Sequence, residues 1–227
     1  MSDSLILHLH PLSSYCHKVL FGLYEKGTPF TAKHVNLMDE GERAAFLKLS
    51  PFGKMPALED NARKNVINET SIILDYLDQH YPGLVRLIPQ DVDAALTVRK
   101  WDRFLDLYLH DPMQRIVAQT FRPADAKDAF GENEARKTIR RTYDILEERL
   151  GETPHPGGEA FSMADCAAAP ALFYAQAAEP FADSHPRIAR YFDALVARPS
   201  YARVLEEAKP FLQYFPLVKS LPARFKP

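Results

Sequence analysis

The spacing of apolar residues changes part-way along this chain of 227 residues. Up to about residue 81, short runs that favour β-strands alternate with segments that have helical spacing. From Asp91 onward, each apolar pattern has the three-four spacing of an amphipathic helix. A chain that changes class in this way favours two domains, an α/β domain followed by an all-helical domain.

Two prolines and a glycine between the two patterns predict a linker. Pro82, Gly83 and Pro89 interrupt both the helical and the strand period. We therefore expect a first domain over residues 1–81, a linker over 82–90 and an all-helical domain over 91–227.

Each pattern predicts a set of elements. The first pattern predicts strands at 5–10, 31–37, 57–60 and 66–68, and helices at 14–26, 42–49 and 69–81. The second predicts helices at 91–120, 133–150, 164–177, 185–197 and 201–209. Ser162 and Asp165 have the spacing of a capping box, and the alanine-rich helix that follows them should be central and buried.

Net charge and composition exclude several classes of partner. The formal net charge is −2 with the two signs interspersed, so no basic stripe is available for nucleic acid or an anionic membrane. No apolar run approaches the roughly 18 residues of a membrane span. The chain has two cysteines, Cys16 and Cys166, and starts without a basic-then-apolar leader. We expect a cytoplasmic protein.

Metal and nucleotide motifs are not predicted. His8 and His10 share one face of a predicted strand, but acidic or cysteine ligands are not near them in the sequence. The nine glycines form neither a phosphate loop nor a dinucleotide fingerprint. We therefore expect no metal ion.

A row of hydroxyl and thiol groups, from Ser13 to Cys16, begins the first predicted helix. The unpaired N–H groups and the positive dipole end at such a position favour a thiolate, a phosphate or a carboxylate. Serine is also a preferred N-cap, so this segment alone leaves a simple cap and an anion site both open. Cys16 also belongs to the apolar stripe of the helix, which predicts a buried and inert thiol.

Two further segments of the first domain carry polar groups in unusual positions. Pro56 follows Met55 where a strand should begin, and a proline there requires an edge position or a turn. Glu69 and Thr70 place a carboxylate and a hydroxyl at a helix start, which suits an amino-acid zwitterion or, equally well, an ordinary cap. Lys54 is either a partner for an anion or a solvated surface lysine.

These three segments, in this order and spacing, resemble the glutathione transferase superfamily. The capping box, the Arg198-Pro199-Ser200 segment and the helical second half also look like that family, so the resemblance covers nearly the whole chain. It implies a thioredoxin-like α/β domain, an all-α domain and a homodimer. It also implies a glutathione S-transferase that uses glutathione as a co-substrate.

The resemblance also assigns roles to residues of the first domain. It implies a cis peptide between Met55 and Pro56, with the Met55 backbone facing the peptide ligand. The γ-glutamyl end of glutathione would bind at Glu69 and Thr70, although serine is commoner than threonine at the latter position. The glycyl carboxylate would lie near Lys54.

The resemblance places Ser13 at the catalytic position of serine-type and cysteine-type members. A serine hydroxyl is no base for a thiol at neutral pH, but it can donate a hydrogen bond that favours the thiolate. Ser14 and Tyr15 are close competitors for this role. Cys16 is a rival with different chemistry, although Ser-x-x-Cys lacks the attacking first sulfur of a redox Cys-x-x-Cys motif.

A second, apolar substrate site is expected between the domains, a common place for ligand pockets. Aromatic and methionine side chains of the helical half are candidates for its wall, although such residues at helical spacing are more often core. The candidates are Tyr108, Met113, Phe121, Phe211, Tyr214 and Phe215.

Three other functions remain open at this point. A glutathione-dependent isomerase of the maleylacetoacetate type is one, since the Ser-Ser start resembles zeta-type members, although Tyr15 stands where their cysteine would be. A non-enzymatic docking protein of the same fold is the second. Reduction of mixed disulfides through Cys16 is the third.

Overall fold

The computed structural model describes residues 4–226 of the chain. The chain divides into two compact units, one up to Leu87 and one from Ile88 onward. In these residues, the first unit has a four-stranded sheet with three helices, and the second is built from helices. This is a thioredoxin-like α/β fold followed by an all-α fold, as the sequence predicts.

The sheet of the first unit is mixed. Strand β1 is parallel to β2 and antiparallel to β3, and β3 is antiparallel to β4, in the order β2-β1-β3-β4. The alternating Leu5, Leu7 and Leu9 are all buried, which makes β1 a core strand. The strands are β1 (Leu5–Leu9), β2 (Thr31–His34), β3 (Ala57–Asp60) and β4 (Asn65–Ile67).

Three helices accompany this sheet: α1 (Ser14–Lys26), α2 (Glu40–Leu47) and α3 (Thr70–His80). The apolar stripe of α1 is buried, as its spacing predicts, and α1 packs against α3. Helix α1 ends at Gly27, whose φ of 63° lies in the left-handed region that favours glycine.

Over the part of the chain that the structure describes, the second unit contains six α-helices. They are α4 (Val92–Leu105), α5 (Asp111–Gln119), α6 (Ala129–Arg149), α7 (Met163–Ala175), α8 (Pro186–Val196) and α9 (Pro199–Ala208). All thirteen residues of α7 are buried, which explains its run of alanines. The predicted capping box is present, with the Ser162 N–H donating to Asp165 Oδ2 at 2.8 Å.

The predicted single helix over 91–120 is wrong in one respect, because a π-helical segment, Asp106–His110, separates α4 from α5. Pro112 supplies the physical reason. It has no N–H to donate to the carbonyl four residues earlier, and its ring clashes with that carbonyl. The carbonyl belongs to Tyr108 and instead accepts a hydrogen bond from the Thr142 hydroxyl of α6 at 2.8 Å.

Other boundaries differ by a few residues. Strand β2 ends at His34 rather than at residue 37, and α6 begins at Ala129 because Asp128 caps it, accepting from the Gly131 N–H at 2.7 Å. Among the described residues, no helix has the length and apolar character that a membrane span requires.

Candidate active site

The three segments singled out in the sequence meet at one edge of the sheet. His8 of β1 pairs with Ala57 of antiparallel β3, and Leu58 of β3 pairs with Ile67 of antiparallel β4. The end of β1, the start of β3 and the end of β4 therefore share an edge. Chain segments at this edge carry Ser13, the Met55-Pro56 pair, and Glu69 with Thr70.

Ser13 is the N-cap of α1. Its own N–H donates to the His10 carbonyl at 2.9 Å, and its hydroxyl oxygen accepts from the Cys16 N–H at 3.4 Å. A hydroxyl that accepts through a lone pair still has its proton to donate. A cap and a donor to a bound anion are therefore compatible roles for the same partly exposed side chain.

Two of the three residues that follow Ser13 are buried. Ser14 is 2% exposed and Cys16 is fully buried, whereas Tyr15 is partly exposed. Burial raises the pKa of the Cys16 thiol to about 11, outweighing its hydrogen bonds with the Ser13 side chain and the His10 backbone, which lower it. At neutral pH Cys16 is therefore a protonated thiol inside the core, which agrees with the predicted inert role.

A buried histidine supports the turn that precedes Ser13. His17 Nε2 lies 2.7 Å from the Pro11 carbonyl oxygen, so in the neutral ring this nitrogen carries the proton and donates it. Burial lowers the pKa of His17 to about 4, although the bond to Pro11 raises it. The ring is therefore uncharged at neutral pH and fixes the backbone between β1 and α1.

The segment before β3 is a tight loop. The Gly53 N–H donates to the Ser50 carbonyl at 2.8 Å, and the Ser50 hydroxyl donates to the Lys54 carbonyl at 2.8 Å. The Met55-Pro56 peptide is cis, as the resemblance implies. Met55 packs on a small apolar cluster that includes Phe46, whereas the Lys54 side chain is exposed.

Helix α3 begins differently from α1. Glu69 has a φ of 66° and a ψ of 117°, and among the described residues its side chain makes no capping hydrogen bond to the helix. This is the left-handed side of the backbone map, which costs a non-glycine residue about 1–3 kcal/mol. The reading of Glu69 as an ordinary capping acid is therefore wrong. Its carboxylate is exposed, and Thr70 is 8% exposed at the start of the helix.

Asn68 connects two of these segments. Its side-chain amide donates to the Leu49 carbonyl at 3.0 Å, so the loop before β3 is tied to the start of α3. The role of Asn68 is not predictable from the sequence, because an isolated asparagine carries no periodic signal.

Lys18 is a second residue that sequence reasoning missed. Its side chain is fully buried in α1, and its ammonium lies 3.0 Å from the Ser71 hydroxyl in the first turn of α3. A lysine next to an apolar stripe usually has an exposed ammonium, so the spacing of apolar residues does not predict this burial.

The candidate wall residues of the second unit fall into two groups. Tyr108 in the π-helical segment and Tyr214 are 48% and 69% exposed, Phe121 is exposed, and Phe211 is partly buried. Met113 and Phe215 are 1% and 4% exposed. These two side chains offer no open surface, because they belong to the core of the second unit.

Comparison with known families gives two matches. Residues 7–84 match the model "Glutathione S-transferase, N-terminal domain", and residues 117–194 match "Glutathione S-transferase, C-terminal domain".

Curated relatives agree with these matches. A glutathione S-transferase from Pseudomonas putida is 31% identical over 70% of this chain and 69% of the relative. Glutathione S-transferase F6 from Arabidopsis thaliana is 26% identical over 86% of this chain and 96% of its own length.

Solved structures also agree. A glutathione S-transferase from Methylobacillus flagellatus with glutathione bound has a TM-score of 0.81 at 25% identity, covering 88% of this chain and 98% of that one. A second, from Methylobacterium radiotolerans in complex with glutathione sulfonate, has a TM-score of 0.78 at 27% identity and covers 88% and 93%.

Proposed function

Since this chain belongs to the glutathione S-transferase family, we propose that it binds glutathione at the sheet edge described above and stabilises its thiolate beside Ser13. The thiolate then attacks a small apolar electrophile. The observation that carries the proposal is the strand pairing. It brings the partly exposed Ser13 to the same end of the strands as the Met55-Pro56 pair and the Glu69-Thr70 segment.

The energetic demand on Ser13 is modest. A free thiol has a pKa of about 8.5, and lowering it by two units requires roughly 2.7 kcal/mol of preference for the thiolate. A hydrogen bond to a charged group contributes about 1.5–3 kcal/mol, and a helix N-terminus adds about 0.3–1 kcal/mol. One hydroxyl at the start of α1 is therefore sufficient without a general base.

The remaining groups fit the two ends of the tripeptide. The exposed carboxylate of Glu69 suits the ammonium of the γ-glutamyl residue, and the uncapped start of α3 at Thr70 suits its carboxylate. The exposed ammonium of Lys54 suits the glycyl carboxylate. In this proposal Met55, before the cis Pro56, offers backbone groups to the cysteinyl residue between them.

For the electrophile we propose contacts from the exposed aromatic side chains of the second unit, Tyr108 and Tyr214, together with Phe211. Met113 is left out because its side chain is buried. These residues favour an apolar and preferably aromatic electrophile.

The test compares Ser13→Ala with Ser14→Ala. The thiolate absorbance of bound glutathione is titrated against pH, and turnover is measured with chlorodinitrobenzene. Ser13→Ala should raise the thiol pKa by about one to two units and lower turnover by about tenfold or more at neutral pH. Ser14→Ala should change both much less, because Ser14 is buried. Unchanged values in Ser13→Ala would remove that residue from the mechanism.

The same preparations should be assayed for maleylacetoacetate isomerisation. Isomerase activity above conjugation would replace the transferase reaction with the zeta-type alternative. We retain the homodimer and the cytoplasmic location as parts of the proposal, and sedimentation of the pure protein tests the former.

A further inference from the structure

We propose that Thr142 of α6 is a positioning residue for the electrophile, because its hydroxyl holds the π-helical segment that carries Tyr108. This inference rests on the proposed function, since it assumes that the electrophile contacts the Tyr108 side chain. Beyond that function, it gives Thr142 a role in the choice of substrate and names the class of electrophile that benefits, a planar aromatic one.

The π-helical segment sets the direction in which the Tyr108 side chain points. Its closing hydrogen bond runs from the Asp111 N–H to the Asp106 carbonyl, five residues back rather than four. This wider turn holds one residue more than an α-helical turn, so it changes which side chains face outward. Within the segment, Leu109 is fully buried, whereas Tyr108 is 48% exposed. The exposed position of Tyr108 therefore depends on keeping the π form.

The Thr142 hydroxyl contacts the main chain of this segment. Thr142 is 2% exposed, and its Oγ1 atom lies 2.8 Å from the Tyr108 carbonyl oxygen. The same atom lies 2.8 Å from the carbonyl oxygen of Thr138, one turn earlier in α6, so the two carbonyls share one hydroxyl proton. A helical threonine ordinarily bonds a carbonyl of its own helix, and the contact that distinguishes Thr142 is the one to Tyr108.

Pro112 increases the importance of this contact. In an α-helix the Tyr108 carbonyl would accept from the N–H of residue 112, and a proline has no N–H. A carbonyl that loses its donor between packed helices is destabilised, so the segment would rearrange to recover a partner. The Thr142 hydroxyl supplies a donor from the neighbouring helix and so stabilises the π form.

The Tyr108 ring is also supported by other aromatic side chains. Its centroid lies 5.1 Å from that of Phe104, and the Phe104 centroid lies 5.1 Å from that of Trp101, which is 6% exposed. The three rings form a row that runs from the core of the second unit to the exposed Tyr108. A planar aromatic electrophile can extend this row by stacking on Tyr108, whereas a small alkyl electrophile cannot.

Thr138 provides a matched control on the same helix. Its hydroxyl donates to the Glu134 carbonyl at 2.9 Å, within α6. Thr138→Val therefore makes the same change of a hydroxyl to a methyl group without removing a contact to the π-helical segment. Thr142→Ser is the conservative variant, because it keeps the hydroxyl.

The experiment compares two electrophiles, chlorodinitrobenzene and iodomethane. In both reactions the glutathione sulfur forms a bond to carbon, and the halide leaves with the electron pair of the broken bond. Only the first electrophile has an aromatic ring. The quantity measured is the ratio of kcat/KM for chlorodinitrobenzene to kcat/KM for iodomethane, and the KM for glutathione is followed in the same preparations.

Tyr108→Leu should lower this ratio by about two- to tenfold, the size of one aromatic contact. Thr142→Val should lower it within the same range and leave the KM for glutathione unchanged. In the Tyr108→Leu background, Thr142→Val should have no further effect on the ratio, because it acts through the Tyr108 ring. Thr142→Ser and Thr138→Val should leave the ratio unchanged.

The outcomes separate the inference from the function on which it rests. If the wild-type protein conjugates neither electrophile, the proposed function fails and the inference fails with it. If it conjugates both but Tyr108→Leu leaves the ratio unchanged, the activation of glutathione stands, and the Tyr108 contact and the inference are overturned.

The inference alone is overturned in two cases. In the first, Tyr108→Leu lowers the ratio and Thr142→Val does not. In the second, Thr142→Val lowers the ratio by the same factor with and without the Tyr108 ring. If Thr142→Val does not fold, Thr142→Ala takes its place, with the same expected and contrary results.

Discussion

Replacing Lys26 by methionine should destabilise the first unit by about 3–5 kcal/mol at neutral pH. The Lys26 ammonium lies 2.5 Å from Asp78 Oδ1, and the two side chains are 1% and 2% exposed. Methionine has a similar length and no charge, so the substitution chiefly removes the positive member of a buried ion pair.

The burial of both side chains gives this magnitude. Breaking a buried ion pair by removing one partner costs about 3–5 kcal/mol.

The assay is urea unfolding of Lys26→Met, Asp78→Leu and the double variant. Removing both partners should restore stability to within about 1 kcal/mol of the parent, because neither member of the ion pair then remains buried without the other. Circular dichroism follows the helices of both units. Fluorescence of Trp101, the single tryptophan, follows the second unit, in whose helix α4 it lies.

Lys137→Met is the control for loss of an ion pair as such. Lys137 pairs with Glu134 at 2.7 Å, but the two side chains are 58% and 48% exposed, so the loss should be below about 0.5 kcal/mol. A loss in Lys26→Met no larger than this control would refute the argument from burial. If the double variant has a free energy of unfolding as low as that of the single variants, the loss does not come from leaving one member of the ion pair buried without the other.

Two further predictions concern buried groups next to Ser13. His17 has a folded-state pKa of about 4 against an ordinary value of 6.5, so the unfolded chain takes up a proton first as the pH falls. Its contribution to stability is complete above pH 6.5 and should be lost between about pH 6.5 and 4, by roughly 3 kcal/mol. His17→Gln should flatten the stability profile in that interval, and an unchanged slope would contradict the assignment. Cys16, with a pKa of about 11 and no exposed surface, should not react with a disulfide reagent in the folded protein at pH 7. Rapid labelling without unfolding would show that this thiol is accessible.

Much of the site was predictable because its signals are local. Ser13 caps α1 because serine precedes a three-four apolar pattern, and the capping box at Ser162 has a fixed spacing. The proline after Met55 marks a break in a strand pattern at the level of neighbouring residues.

The features that were missed depend on contacts between distant residues. The buried ammonium of Lys18 contacts the hydroxyl of Ser71, which lies 53 residues away in the sequence. In the π-helical segment, the carbonyl that Pro112 leaves without a main-chain donor accepts a hydrogen bond from the Thr142 hydroxyl of α6. An ordinary capping acid is one prediction for Glu69, and only its backbone angles and the absence of a side-chain capping hydrogen bond among the described residues distinguish it from one.

The sequence by itself determined the succession of elements, the change from mixed to helical structure and the positions of the helix starts, because these follow from side-chain spacing and local hydrogen bonds. Tertiary structure alone decided which of these starts share a sheet edge and which charged side chains are buried. Strand pairing and helix packing join residues that are far apart in the chain, and the energy of a charge depends on the groups that surround it in the folded protein.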